Sequence, residues 1–176
     1  ENHQRELAAR KIDELRGRPI RGGKTSQSGI IVEGIDNCLV KFAKCCTPVP
    51  GDPVVGFITR GFGVSVHRAD CPNASDAKRA EEPGRWIKVS WATGELATYQ
   101  TALDISAKDR DGLTLDVAMT LSAAKVKTTS LSARSMPDGY ATVSIVLEVK
   151  NQEELTNVIN KLGQIQGVYQ VKRASG

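Results

Sequence analysis

Apolar residues recur along this chain at two spacings, and the change from one to the other divides it into modules. Up to Trp91 the pattern is one of short runs and alternation. Ile30-Ile31-Val32 and Cys38-Leu39-Val40-Lys41-Phe42 predict two strands around a turn-rich connector, Gly34-Ile35-Asp36-Asn37. Val54-Val55-Gly56-Phe57-Ile58-Thr59 and Gly63-Val64-Ser65-Val66-His67 predict two more, with Gly61 and Gly63 permitting a tight reversal between them. Residues 74–84, ASDAKRAEEPG, predict a short charged helix ended by Pro83-Gly84. Arg85 to Trp91 then alternates over seven residues, a single strand that completes the first module. Trp86 and Trp91 are out of phase on it, which predicts one in the core and the other on a contact surface.

Beyond Thr93-Gly94-Glu95 the spacing alternates between two and three-to-four. Leu103, Ile105 and Ala107 predict a strand that ends in Lys108-Asp109-Arg110-Asp111-Gly112, and Leu113, Val117, Leu121 and Ala124 predict a helix. Val126 to Ala133 returns as a strand, Met136-Pro137-Asp138-Gly139 as a turn, and Ala141, Val143, Ile145, Leu147 and Val149 as a long strand. Asn151-Gln152-Glu153-Glu154 predicts a capping box with Asn151 as N-cap. Leu155, Val158, Ile159 and Leu162 form the apolar face of the helix it opens, and Val168 to Arg173 is a last strand. The order β-α-β-β-α-β is the ferredoxin-like split arrangement, so the expected class is α+β.

The leading residues add little to either module. Residues 1–16 carry Leu7, Ile12 and Leu15 on a stripe too narrow to fold alone, and Gly17 to Gly29 is rich in Gly, Ser and basic residues, as a flexible linker is. The expected organisation is a basic linker with a partial helix over 1–28, a β-rich cysteine-containing module over 29–98 and a second module over 99–176. Gly22-Gly23-Lys24-Thr25 invites a phosphate-loop reading that fails, because Arg18 stands where the motif requires glycine and no apolar strand precedes it. His3 is expected to be solvated. The chain begins mid-pattern without an initiator Met and reads as a fragment.

Charge changes the picture only by what it withholds. The net charge is +4, but residues 1–28 carry seven basic and four acidic groups, residues 29–98 eight of each, and residues 99–176 nine against eight. The excess sits in the leading tail, so overall charge supports no nucleic-acid partner. There is no secretory signal or apolar run of membrane-spanning length, and four cysteines without secretory context favour reduced thiols in a cytoplasmic protein. Cys38, inside an apolar run, reads as a small buried hydrophobe.

The candidate chemistry is concentrated in KCCTPVPGDPVVGFITRGFGVSVHRADCPN, residues 44–73. Cys45, Cys46, His67 and Cys71 offer thiolate and imidazole donors that together suit zinc. Pro48, Pro50 and Pro53 restrict the backbone, and Gly51-Asp52 supplies turn chemistry. The strand pair between the donors would bring the two ends of the stretch together. His67 and Cys71, four apart, share a face if a helical turn forms there. Adjacent cysteines lack the two-residue knuckle of familiar fingers, and both can hold one ion only where the backbone turns between them. Two other readings stay open: a hydrogen-bonded, partly buried turn that shapes the surface, and a catalytic Cys–His pair, which no oxyanion or substrate-pocket signal accompanies.

CC-x-P-x-PGD followed by G-x-GVSVHR-x-DCPN, within residues 29–73, closely resembles the cysteine-containing, zinc-finger-like module in the regulatory half of the long RelA/SpoT-type enzymes. Those enzymes make and degrade (p)ppGpp in the bacterial stringent response. The βαββαβ order over 99–176, with Asp-Arg-x-Gly-Leu at the first strand-to-helix junction, resembles an ACT domain, a regulatory module that commonly binds amino acids and pairs with copies of itself. Thr114 departs from the pattern, since a second large apolar residue often follows Leu113 there.

The resemblance implies a regulatory fragment without catalytic residues, detached from the enzymatic half. It implies contacts with ribosomal RNA and tRNA, for which Arg60, Arg68, Lys88 and one tryptophan are the candidate groups. It places an amino-acid site, for valine, isoleucine or leucine, at Asp109, Arg110, Asp111, Gly112 and Leu113, where a helix N-terminus would receive a carboxylate. It also implies a homodimer through the ACT domain. The alternative is a purely structural module for dimerisation or autoinhibition, without a small-molecule ligand.

Overall fold

The computed structural model describes residues 29–35, 38–61, 63–92 and 98–174. The leading linker, with its partial helix, Gly-Gly-Lys-Thr and His3, lies outside the described residues, as do Asp36-Asn37 and the expected boundary at Thr93-Gly94-Glu95. The described residues form two compact units, one of residues 29–43 and 53–92, the other of residues 44–52 and 98–174.

The first unit is β-rich. Strands β1 (Ile30–Val32), β2 (Leu39–Phe42), β3 (Val54–Ile58) and β4 (Gly63–Arg68) form where the short apolar runs predict them. Helix α1 (Asp76–Glu81) follows, capped by the Ser75 hydroxyl, which accepts from the Lys78 amide. The expected single strand over 85–91 divides into β5 (Trp86–Ile87) and β6 (Val89–Trp91). The division at Lys88 sends the two halves to different sheets: β6 pairs antiparallel with β1, while β5 joins the order β2-β4-β3-β5. The expected division into one core and one contact-surface tryptophan does not hold, since both are half-buried. Trp86 packs at 4.9 Å on Phe57 of β3, and Trp91 stacks at 5.6 Å on Phe42 of β2.

Ile30, Val32, Val64, Val66 and Val89 are the core of this unit, with Cys38, Val40, Phe42 and Trp91 packed around them. Cys38 thus packs against the core as expected, but is partly rather than fully buried. Gly56 on β3 is required by packing. A Cβ there would lie 2.8 Å from side-chain carbons of Ile87, Val64 and Val89. Side chains from β4, β5 and β6 thus close against bare backbone at that point.

The second unit is the predicted split arrangement. Strand β7 (Tyr99–Lys108), helix α2 (Leu113–Ala123), strands β8 (Lys127–Ser135) and β9 (Tyr140–Val149), helix α3 (Gln152–Gly163) and strand β10 (Val168–Arg173) follow in order. The sheet runs β10-β7-β9-β8, antiparallel throughout. Leu103, Ile105, Val143, Ile145 and Leu147 from the central strands are buried with Leu113, Val117, Leu121, Leu155, Val158 and Leu162 from the helices. Each such side chain contributes about 1.5–3 kcal/mol by leaving water. Asn151 is the N-cap of α3 as expected, its Oδ1 accepting from the Glu154 amide at 2.9 Å, while Glu154 Oε2 accepts from the Lys150 amide at 2.6 Å.

Candidate metal centre and ligand cleft

The geometry at the cysteines begins with the pairing of β2 and β4. These strands are parallel, with Phe42 opposite Val66, and the Ala43 amide extends the ladder by donating to the Val66 carbonyl at 2.9 Å. Parallel strands leave a sheet at the same edge, so the chain after Phe42 and the chain after Val66 emerge together. After Ala43 the backbone turns at residues 44–46, which lets the side chains of adjacent cysteines converge. After His67 it turns again, the Cys71 amide donating to the Arg68 carbonyl at 3.0 Å. Pro72 then opens a 3-10 turn, Pro72–Ala74, with Cys71 held extended before it. The β3–β4 hairpin adds its own constraint, with Val55 opposite His67.

Cys45, Cys46, His67 and Cys71 are brought together, their ligand atoms all within 4.8 Å of one another. Cys46 and Cys71 are buried, and Cys45 and His67 are half-buried. The Cys45 and Cys46 sulfurs are 3.9 Å apart. That is far beyond the roughly 2 Å of a disulfide. It is close to the edge of about 3.8 Å that two thiolates span when each lies about 2.3 Å from a tetrahedral zinc. Burial pushes the His67 pKa below its ordinary value, which favours the neutral imidazole that ligates metal. Three thiols and one neutral imidazole at this spacing fit a structural zinc site.

The loop that carries the vicinal cysteines is itself tightly held. Asp52, 4% exposed, accepts from the Val49 amide at 2.8 Å and from Arg173 Nη1 through both carboxylate oxygens at 2.8 and 2.7 Å. No feature of the sequence pointed to this pair, whose members are 121 residues apart.

Asp109 to Leu113 form the connection from β7 to α2 and line an open cleft with Thr114, Leu115, Arg134 and Ser135. Gly112 sits at φ +78°, a left-handed conformation that lets α2 start directly behind the loop. Arg110 is committed to the loop: its Nε donates to the Gln166 carbonyl at 3.1 Å and its Nη2 to Asp116 at 2.5 Å. The Leu113 side chain is buried in the core, and its amide donates to the Arg110 carbonyl at 3.3 Å. The cleft is thus lined by the start of α2 with Asp109 and Asp111 beside it.

The expected RNA-contact groups are dispersed. Arg60 is exposed beside the β3–β4 turn, Arg68 pairs with Asp70, and Lys88 pairs with Glu33 at 3.1 Å on the surface. Two other arginines pack on aromatic rings: the Arg85 guanidinium lies 4.3 Å from the Phe57 ring centroid, and that of Arg79 5.9 Å from that of Trp86. The dipeptide Arg85-Trp86 was the available signal for this aromatic cluster.

Two family models match: the RelA/SpoT RIS domain over residues 30–92 and the ACT domain over residues 95–173. A GTP pyrophosphokinase of Streptomyces coelicolor is 38% identical over 97% of this chain and 20% of its own length. The bifunctional (p)ppGpp synthase/hydrolase RelA of Mycobacterium tuberculosis is 39% identical over 89% of this chain and 21% of its own length. The chain thus spans about a fifth of these relatives. Among solved structures, the ACT domain from the GTP pyrophosphokinase of Chlorobium tepidum covers 44% of this chain and 99% of its own, at 26% identity and a TM-score of 0.40. The chain belongs to the RelA/SpoT family as part of its regulatory region, a RIS domain followed by an ACT domain.

Proposed function

We propose that this chain is a non-catalytic regulatory region of a (p)ppGpp synthetase/hydrolase, and that its RIS domain holds a structural zinc ion through Cys45, Cys46, His67 and Cys71. The observation that carries the metal reading is the convergence of these four donors within 4.8 Å. When bound, the ion would cross-link the turn after β2 to the turn after β4, and its binding energy would add to the stability of both. The linker–RIS–ACT division at residues 28 and 98 belongs to the same reading, as does action in the cytoplasm, which rests on family membership. Among the described residues no helix is long and apolar enough to cross a membrane. The test is metal content: the chain purified with zinc available should hold one equivalent, and Cys46→Ser or Cys71→Ser should lose it. A chain that folds and retains no zinc would sink the reading.

The cleft at Asp109–Leu113 favours a second role, binding of a branched-chain amino acid that biases the parent enzyme between synthesis and hydrolysis. Its support is that the start of α2 and the carboxylates of Asp109 and Asp111 line one open cleft. Docking to ribosomal RNA and tRNA, and pairing of ACT domains into a homodimer, rest on family membership. Arg60, Lys88 and the Arg79–Trp86–Phe57–Arg85 cluster are the groups that would meet phosphates and bases. Absence of both amino-acid and RNA binding would leave dimerisation or autoinhibition as the function.

A further inference from the structure

We propose that Arg173, the last residue of β10, is a positioning residue for the donor pair Cys45–Cys46. The inference rests on the reading that the four donors hold zinc. Residues 44–52 belong to the same compact unit as β10. Arg173 makes a fork on this segment. Its Nη1 donates to both oxygens of Asp52, and its Nη2 donates to the Thr47 carbonyl at 2.5 Å and the Cys46 carbonyl at 3.4 Å. Arg173 and Asp52 are 11% and 3% exposed at their side chains. One guanidinium thus fixes the carbonyl of the second cysteine, that of the next residue, and the carboxylate that closes the following turn through the Val49 amide.

Three further contacts hold the same segment. Thr47 and Thr101 share a hydroxyl hydrogen bond at 3.0 Å, and the Gln152 amide donates to the Pro50 carbonyl at 2.7 Å. Gly51, at φ +100°, lies so close to α3 that a Cβ there would stand 3.0 Å from the Cβ of Gln152. Thr47 itself sits at φ +39°, an unfavourable conformation for a β-branched residue. Its carbonyl receives the Nη2 hydrogen bond, so Arg173 stabilises the backbone where the cysteine turn is strained. Groups that orient metal ligands without touching the metal commonly change affinity about 10–100-fold when removed. Arginine suits the task because its planar fork reaches several acceptors at once, which a lysine ammonium does not reproduce.

The test compares the intact chain with Arg173→Met, Arg173→Lys and Asp52→Asn. Zinc affinity is measured by competition with a chromophoric chelator, the donor geometry by the cobalt(II) absorption spectrum, and the metal-free turn by the rate at which Cys46 reacts with a thiol reagent. Variants that remain folded by circular dichroism are scored, and Arg173→Lys decides the matter if Arg173→Met fails to fold. The expected result is zinc affinity lowered by about tenfold or more in Arg173→Met, partial recovery in Arg173→Lys, an altered cobalt spectrum and faster labelling of Cys46. Unchanged affinity in folded Arg173 variants of a zinc-binding chain overturns the positioning role. If the intact chain binds no zinc, the metal reading fails; faster Cys46 labelling in the variants would still uphold Arg173 as the holder of the turn, and unchanged labelling would overturn that as well.

Discussion

Phe42 on β2 lies opposite Val66 on β4 in parallel register, and the Ala43 amide continues the ladder onto the Val66 carbonyl at 2.9 Å. Cys45 and His67 follow shortly after this last rung, so their meeting is a consequence of strand direction. An antiparallel pair would send the two segments to opposite edges.

The packing around β3 gives a direct test of the first unit. Gly56→Ala places a Cβ 2.8 Å from three side-chain carbons belonging to Ile87, Val64 and Val89. Overpacking of this kind costs about 1–3 kcal/mol. Denaturant unfolding should show that loss, and a change under about 0.5 kcal/mol would mean the strands close less tightly than described.

Breaking the buried pair of the second unit should be more severe. Asp52→Ala leaves the Arg173 guanidinium without its carboxylate, and removing one partner of a buried ion pair costs about 3–5 kcal/mol. Asn151→Ala, on the exposed start of α3, should cost only about 1 kcal/mol through loss of the cap to Glu154. Thermal melts of both variants rank the two effects, and an equal loss would contradict the burial assigned to Asp52.

Calorimetric titration with valine, isoleucine and leucine examines the cleft. Saturable heat is expected from the intact chain and none from Gly112→Ile, since Gly112 sits at φ +78° and a β-branched side chain cannot hold that conformation without strain. Heat that survives Gly112→Ile would place the ligand elsewhere.

Binding to RNA should weaken as salt rises, with a slope that reports phosphates neutralised. Arg60→Ala and Lys88→Ala remove exposed cations and should leave stability within about 0.5 kcal/mol. Each should reduce the salt slope by about one. A slope identical to that of the intact chain would remove both residues from the interface.

Sequence spacing made most of the second unit legible, because β7, β9 and both helices bury one face, although β8 buries no residue: Ala141 to Val149 alternates, and Leu155, Val158 and Leu162 recur at helical spacing. The four metal donors were legible as residue types, and the turn their adjacency required is present at residues 44–46. Period-two reasoning failed at Arg85–Trp91. Alternation describes one pleated strand, and it carries no mark of the division at Lys88 that gives Trp86 and Trp91 to separate sheets. The parallel pairing of β2 with β4 and the pairing of Asp52 with Arg173 were equally silent. Both join residues distant along the chain, and neither leaves a local pattern.

X-ray absorption at the zinc edge, on the intact chain loaded with one equivalent, reads the donor set itself. Three sulfur neighbours at about 2.3 Å and one nitrogen at about 2.0–2.1 Å are expected. A shell of oxygen and nitrogen alone, or a chain that takes up no zinc, would contradict a Cys45–Cys46–His67–Cys71 site.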